Sequence, residues 1–140
     1  MAKQIQKTPQ RIAIMSYLNG NKSHPTIMDI YNAVSRKLSA ISMTTVYNTM
    51  NLLKEEGVVR ELPAVFGHGV RFDPDMSLHH HLVCTICGEF IDIDLKDIDH
   101  SLLLSDEQRK GFDVEKISIK IYGVCPDCKI KNRLPMQNEF

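Results

Sequence analysis

Apolar residues in the first half of the chain recur at the three- and four-residue spacing of amphipathic helices. A first helix is predicted to begin at Thr8-Pro9, since a Thr cap followed by Pro favours a helix start, and to end at Asn19-Gly20. A second is predicted to begin at Thr26, and a third to begin at Ser42 and end at Gly57. The apolar faces consist of Ile12, Met15 and Leu18, then Ile30, Tyr31, Val34 and Leu38, then Val46, Met50 and Leu53.

Beyond the third helix the pattern changes from helical periodicity to short apolar runs. Residues 58–62 and 70–72 predict two strands, joined by a loop that contains Gly67 and Gly69. Three short helices followed by a two-stranded hairpin predict a winged helix-turn-helix domain over residues 1–74.

The third helix has a polar face opposite its apolar face. Hydroxyl, amide and phenol side chains on this face suit contacts to base edges in the major groove of DNA. A solvated helix face has the same composition, so this face indicates DNA binding only together with the capped helices, the hairpin and a local basic excess. The predicted DNA-contacting residues are Thr44, Thr45, Tyr47, Asn48 and Asn51.

The second half of the chain predicts a small α/β domain. Residues 82–84 and 90–93 predict a hairpin, and the alternation over residues 117–121 predicts a further half-buried strand. Residues 95–110, with Leu102, Leu103 and Leu104, predict a helix. Because about 65 residues make a thin core, a metal ion or a dimer partner is expected to stabilise this domain. The expected fold class is α+β, with a winged-helix domain at 1–74 and, after a connecting segment at 75–79, a small α/β domain at 80–140.

Two Cys-x-x-Cys pairs contain all four cysteines of the chain. Thiolates two residues apart bind one zinc ion from a tight turn, and Gly88 and Pro126 favour such turns here. Disulfides are less well supported, because the N-terminus is polar and has no apolar signal segment. A thioredoxin-like redox motif would account for one pair only. The sequence therefore predicts a structural zinc that joins the sheet to the C-terminal segment through Cys84, Cys87, Cys125 and Cys128.

Charge is balanced overall but uneven along the chain. Of 17 basic and 17 acidic residues, residues 1–74 hold nine and five, while residues 75–140 hold eight and twelve. The halves therefore carry +4 and −4, which favours an anion-facing N-terminal domain, although an uneven solvated surface gives the same difference. No apolar run reaches the length of a membrane span, so a soluble cytoplasmic protein is expected.

Histidines and carboxylates form a further set of candidate ligands. In an extended segment His79 and His81 point to the same side, and the following hairpin brings Asp92 alongside them. His24 and Asp73 offer an imidazole and a carboxylate from the other domain. Such a set suits Fe(II), Mn(II) or Zn(II), with the carboxylates favouring the harder ions. For each residue alone, a loop histidine or a solvated carboxylate remains the alternative.

Several motifs follow one another in a specific order over nearly the whole chain. They are Thr8-Pro9-Gln10-Arg11; Ser23-His24-Pro25-Thr26 leading to Asp29-Ile30-Tyr31; Thr45-Val46-Tyr47; Arg71-Phe72-Asp73; His79-His80-His81-Leu82-Val83-Cys84 with Cys87-Gly88; and Ile121-Tyr122-Gly123-Val124-Cys125 with Cys128. In order and spacing they closely resemble the ferric uptake regulator family. The resemblance implies a homodimeric, metal-responsive transcription factor with an N-terminal winged helix, a C-terminal dimerisation domain and zinc on the four cysteines.

Within that family the chain is most similar to the peroxide-sensing branch. Asp92 stands where the iron-uptake branch usually has Glu, and Asn48 stands where that branch usually has Arg. The resemblance implies a regulatory Fe(II) or Mn(II) site, in which peroxide oxidises His24 or His79. Residues 114–117 lack the His that many members carry there, so an additional metal site is not implied. The implied regulatory ligands are His24, Asp73, His79, His81 and Asp92.

One ion joining ligands from both domains would bias the angle between them and act as an allosteric ligand for DNA binding. The expected function is a metal-dependent repressor of peroxide-stress genes that binds operator DNA as a homodimer. An iron- or manganese-responsive uptake regulator of the same family is the alternative. A zinc-dependent hydrolase is disfavoured, because the sequence has neither a His-Glu-x-x-His helix nor a nucleophile elbow.

Overall fold

A computed structural model describes residues 5–65, 67–95 and 99–136 of the 140-residue chain. Its strands form one two-stranded sheet and one three-stranded sheet. Within these ranges, no helix combines the length and apolar character that a membrane crossing requires. In chain order the elements are α1 (Pro9–Leu18), α2 (Ile27–Ser35), α3 (Met43–Glu55), β1 (Arg60–Leu62), β2 (Arg71–Asp73), β3 (His80–Cys84), β4 (Phe90–Ile93), a 3-10 helix (His100–Leu103), α4 (Asp106–Arg109), β5 (Lys120–Gly123) and α5 (Pro126–Met136).

The first three helices begin at the predicted caps. The side chains of Thr8, Thr26 and Ser42 each accept a hydrogen bond from the backbone amide three residues later. Asp29 accepts a bond from the amide of Thr26 in return, which completes a capping box. Each cap satisfies an amide that has no partner inside its helix, a contribution of about 1 kcal/mol.

The three helices pack around one apolar core. Ile14 lies in that core, and the predicted core residue Ile12 is instead 48% exposed, because Ile14 and not Ile12 shares a face with Leu18 four residues on. Leu38 lies beyond the end of α2 at Ser35 and packs on the core from the following turn. The buried core residues are Ile14, Leu18, Ile30, Val34, Ile41, Val46, Met50, Leu53, Val59 and Phe72.

The predicted hairpin is present as an antiparallel pair in which Arg60 lies opposite Asp73. Its strands are shorter or displaced relative to the prediction, at 60–62 in place of 58–62 and at 71–73 in place of 70–72. Three helices followed by this hairpin make the predicted winged helix-turn-helix. Together with the sheet of the second half, they confirm the α+β fold class.

β3 is the central strand of the second sheet, antiparallel to β4 and parallel to β5. The strand predicted at 117–121 is displaced toward the C-terminus, since β5 begins at Lys120 and ends at Gly123. Just before it, the amide of Ile119 donates to Nδ1 of His80 rather than to a strand carbonyl. The His80 side chain therefore occupies the Ile119 amide, which a longer β5 would need for a bond to a backbone carbonyl of β3.

The sequence predicted one helix at 95–110. Residues 96–98 lie outside the described residues, and for the rest of this segment the prediction was wrong. A 3-10 helix ends at Leu103, and Leu104 is extended. Ser105 then caps α4, accepting a bond from the amide of Gln108 while the Gln108 side chain accepts one from Ser105. A new cap of this kind requires an extended residue, which interrupts the helix. The three leucines that the prediction placed on this helix, Leu102, Leu103 and Leu104, are exposed.

A small apolar cluster joins the two sheets. Leu62 and Val65 from the hairpin pack with Val83 and Phe90 of the second sheet. In the same hairpin, a ring carbon of His68 lies 2.6 Å from the position that a Cβ at residue 88 would occupy. Glycine is required there, since residue 88 also has φ +77°. These contacts hold the hairpin against β3 and β4, next to the candidate site.

Candidate functional site

The structure brings the five predicted regulatory ligands together. His24 precedes α2, Asp73 ends β2, His79 precedes β3, and His81 and Asp92 are cross-strand partners in β3 and β4. One ligand atom from each lies within 4.8 Å of the others. The cluster is largely buried, with Asp92 the most accessible of its side chains at 23%.

Three imidazoles converge on two carboxylate oxygens in this cluster. Asp73 Oδ2 lies 2.7 Å from Nε2 of His79, 3.2 Å from Nε2 of His81 and 3.5 Å from Nε2 of His24. Asp92 Oδ1 lies 2.7 Å from Nε2 of His24 and 3.2 Å from Nε2 of both His79 and His81. Each carboxylate oxygen therefore faces all three rings.

These spacings fit a shared metal ion. Donor atoms about 2.1 Å from one ion and at right angles to each other are about 3 Å apart. The donor set also fits a cation, since three nitrogen ligands and two carboxylates suit Fe(II), Mn(II) or Zn(II). The rings of His24 and His81 are buried, where an unpaired charge is unfavourable. A single metal ion can take the place of protons on these rings, because the two carboxylates balance its charge.

The backbone fixes the ring tautomer at His79. Its Nδ1 lies 2.8 Å from the carbonyl oxygen of Ser77, which can only accept, so Nδ1 donates and the Nε2 lone pair faces the cluster. Ser77 is itself held by the carboxylate of Asp75, which accepts a bond from its amide. The amide of Asp75 in turn donates to Oδ1 of Asp73 at 2.9 Å. One short turn therefore orients two of the five ligands.

The pKa values of the cluster reflect these contacts. Burial alone would raise the pKa of Asp73, but hydrogen bonds from His24, His81 and the Asp75 amide outweigh it and hold that pKa far below its usual range. Burial would lower the pKa of His24, but bonding to Asp73 and the negative charges of both carboxylates raise it. The pKa of His79 is raised in the same way, against burial, by the Ser77 carbonyl and Asp73. The site thus stabilises positive charge among its rings.

His24 reaches the cluster from an unusual backbone conformation. Its φ of +53° lies in the left-handed region, which costs a residue with a Cβ about 1–2 kcal/mol. Its side chain is buried, and its Nδ1 has no hydrogen-bond partner among the described residues. Arg71 donates from Nη1 to the His24 carbonyl at 3.1 Å. His24 was predicted from the sequence, whereas Arg71 and Ser77 were not, and of these two only Ser77 had a sequence signal, in the Asp75-x-Ser77 turn.

The four cysteines form a second cluster. Cys84 ends β3, Cys87 lies in the turn that follows, Cys125 precedes α5 and Cys128 lies within it. The four sulfur atoms lie within 4.8 Å of one another, and Cys87 Sγ is 3.9 Å from Cys125 Sγ. Four thiolates about 2.3 Å from a tetrahedral zinc are about 3.8 Å apart, so the geometry fits zinc.

Backbone amides favour a thiolate in this cluster. Sγ of Cys84 accepts from the amide of Cys87 at 3.5 Å and from that of Cys125 at 3.4 Å. Burial raises the pKa of Cys84, but these amides outweigh it and bring the pKa down to about 6. The pKa of Cys128 is raised to about 12, first by its hydrogen bond with Cys125. The four thiols therefore share charge unevenly, and a zinc ion would favour the thiolate form of all of them.

The predicted DNA-contacting residues lie on the accessible side of α3. Thr44, Tyr47 and Asn48 are exposed, and Thr45 and Asn51 are half-buried. The opposite side holds Val46, Met50 and Leu53 in the core. Tyr47 is 55% exposed, so its ring is accessible to a binding partner.

Comparisons with known proteins agree with this architecture. The model of the ferric uptake regulator family matches residues 2–122. The chain is 41% identical over 123 residues to the peroxide-responsive repressor PerR of Staphylococcus epidermidis, covering 87% of this chain and 80% of that protein. It is 39% identical over 125 residues to the peroxide operon regulator of Bacillus subtilis, covering 89% and 84%. The solved peroxide stress regulator of Campylobacter jejuni superposes with a TM-score of 0.67 at 31% identity, covering 86% of this chain and 89% of that one.

Proposed function

Since this chain belongs to the ferric uptake regulator family, we propose that it is a metal-dependent DNA-binding repressor that responds to hydrogen peroxide. The family consists of transcription regulators, so the hydrolase alternative is set aside. The observation that carries the proposal is the buried cluster of three imidazoles and two carboxylates, shared between the winged helix and the second sheet. The relatives named as a peroxide-responsive repressor and a peroxide operon regulator support the choice of signal.

Two metal sites are part of this proposal. Cys84, Cys87, Cys125 and Cys128 hold a structural zinc, which the sulfur spacing supports. The regulatory site takes Fe(II) or Mn(II) on the imidazole and carboxylate cluster, because two carboxylates favour harder ions over zinc. Its ligands are His24, Asp73, His79, His81 and Asp92.

The division of the chain explains how such a site regulates DNA binding. We assign residues 1–74 to the DNA-binding domain, 75–79 to a hinge and 80–140 to the dimerisation domain. His24 and Asp73 then belong to the first domain, His79 to the hinge, and His81 and Asp92 to the last. When all five face one ion, the angle between the domains is restricted. A coupling of about 1–3 kcal/mol changes the affinity for DNA about 5- to 150-fold.

Peroxide sensing is assigned to two ligand rings of the regulatory site, those of His24 and His79. Bound Fe(II) would supply the redox chemistry that delivers one oxygen atom of hydrogen peroxide to a ring carbon of a ligand, with the other leaving as water. His24 and His79 both lie 2.7 Å from a carboxylate oxygen on the shared site. Oxidation of either ring weakens its nitrogen as a ligand, the domains lose their link, and DNA is released.

The experiment that tests the proposal measures metal-dependent DNA binding. The purified zinc-containing protein is offered a pool of random DNA duplexes with and without Mn(II), and the bound fraction is sequenced and titrated. We expect Mn(II) to raise the affinity for the selected sequence at least about fivefold. Asp73→Ala should abolish this response and leave the zinc in place. Equal affinity with and without Mn(II) would contradict the proposal.

A first prediction concerns the base contacts of α3. Replacing Tyr47 or Asn48 with Ala is expected to weaken binding to the selected DNA by about 1–3 kcal/mol and to relax the base preference at one position per half-site. Titration against single-base variants of the site measures both effects. Ser16→Ala, at an exposed position of α1, is the matched control. Unchanged affinity and preference in Tyr47→Ala would exclude α3 as the reading helix.

A second prediction concerns the homodimer. Leu82, Ile91 and Ile121 lie side by side in the register of the second sheet, and all three are exposed in the single chain. We expect this apolar row to be covered by a second copy, as the proposed homodimer requires. Ile121→Glu should therefore convert the protein to a monomer in sedimentation experiments. Met28→Glu, also exposed but on α2, should remain a dimer, and a dimeric Ile121→Glu protein would contradict the assignment.

A further inference from the structure

His24 is held in a conformation that its own sequence disfavours. Among the described residues other than glycine, positive φ occurs only at His24 and Lys110. The Cβ of His24 opposes this conformation, and Pro25 after it further restricts the backbone. Since the imidazole nevertheless reaches the carboxylate of Asp92 at 2.7 Å, contacts outside the segment must hold its backbone.

Those contacts come from β2. The amide of Phe72 donates to the carbonyl of Pro25 at 2.9 Å, and Thr26 forms an isolated bridge with Arg71. The guanidinium of Arg71 donates from Nη1 to the carbonyl of His24 at 3.1 Å. This is the side-chain bond nearest to the strained position.

Arg71 has little other use for its charge within the described part of the chain. No acidic group there lies within ion-pair distance of it, and its Nε is buried without a hydrogen-bond partner. A buried guanidinium nitrogen left unpaired is unfavourable. In the described part of the chain, the bond to the His24 carbonyl is the one side-chain hydrogen bond that Arg71 makes.

We propose that Arg71 is a positioning residue for the regulatory site: it holds the His24 carbonyl and thereby keeps the His24 ring directed at the shared ion. This inference rests on the proposed function, because it concerns the affinity and reactivity of the same site. Among the described residues Arg71 bonds the backbone of His24 and none of the five ligand atoms. Its effect passes entirely through His24.

The test compares the Mn(II) affinity of four full-length, zinc-loaded proteins: wild type, Arg71→Met, His24→Ala and the double variant. Arg71→Met is expected to bind Mn(II) about tenfold more weakly than wild type. Because Arg71 acts through His24, the double variant should bind no more weakly than His24→Ala. Arg36→Met removes an exposed arginine from the same domain and should bind as wild type does.

A spectroscopic readout separates positioning from general destabilisation. The visible absorption spectrum of Co(II) in the regulatory site depends on the number and arrangement of its ligands. The spectrum of Arg71→Met is expected to resemble that of His24→Ala rather than that of wild type, at unchanged zinc content. If Arg71→Met loses its zinc or its fold, Arg71→Gln, whose side chain is too short to reach the carbonyl, takes its place.

The outcomes distinguish a failure of the proposed role of Arg71 from a failure of the proposed regulatory metal site. Wild-type protein that binds no Mn(II), or His24→Ala that binds as wild type does, would remove the proposed regulatory site itself. If wild type and His24→Ala differ as expected, an Arg71 variant with wild-type affinity and spectrum overturns the inference. An additive double variant also overturns it, because Arg71 would then act through another group.

Discussion

Replacing Cys125 with Ser is expected to remove zinc from the protein and to unfold its C-terminal half. Cys125 links the end of β5 to α5, and its sulfur lies 3.9 Å from that of Cys87 in the turn after β3. A structural zinc contributes about 10–16 kcal/mol of apparent binding free energy. Domain stability is only about 5–15 kcal/mol, so loss of the ion exceeds what this thin half of the chain can tolerate.

Zinc content by atomic absorption, unfolding by circular dichroism and dimer content by sedimentation measure the result. Asp127→Asn is the matched control, because it changes an exposed residue between the two cysteines and leaves all four sulfurs in place. The control should keep its zinc and unfold near the wild-type temperature. A folded, dimeric and zinc-free Cys125→Ser protein would show that the four thiols have no structural role.

Local signals were enough to predict much of the fold. The caps at Thr8, Thr26 and Ser42 depend on side chains bonding amides three residues away, so the sequence contains all of the information. The alternation that puts His79 and His81 on one side of a strand is local in the same way, and the structure directs both rings at Asp73. That these residues bind a metal stays a prediction.

The failures have tertiary causes. The strand predicted at 117–121 begins late because the Ile119 amide bonds to His80, a residue 39 positions away. The left-handed backbone of His24 carries a hydrogen bond from Arg71, 47 positions away. The periodicity of apolar residues does not indicate such long-range partners. The helix predicted at 95–110 failed for a local reason, since Ser105 and Gln108 form a capping box that the three consecutive leucines obscured.

The iron-loaded protein is expected to lose DNA in response to hydrogen peroxide, and the manganese-loaded protein to keep it. With stoichiometric peroxide, mass spectrometry of the Fe(II) form should find one added oxygen atom on a peptide containing His24 or His79. The Mn(II) form should gain none, because Mn(II) in such a site does not readily reduce peroxide. The cysteines should remain unoxidised in both, since thiolates closed around zinc react poorly with peroxide.

Asp92 provides the sharpest variant for this experiment. Its Oδ1 lies 2.7 Å from the His24 ring nitrogen and 3.2 Å from those of His79 and His81, a fit that one more methylene group would disturb. Asp92→Glu is therefore expected to retain metal-dependent DNA binding but to slow oxidation of the His24 and His79 peptides by about tenfold or more. Asp94→Glu, two residues on and exposed, is the matched control and should be oxidised as wild type is. If oxidation occurs only on cysteines, or if the iron and manganese forms respond alike, peroxide is not the signal, and the site regulates DNA binding through metal supply alone.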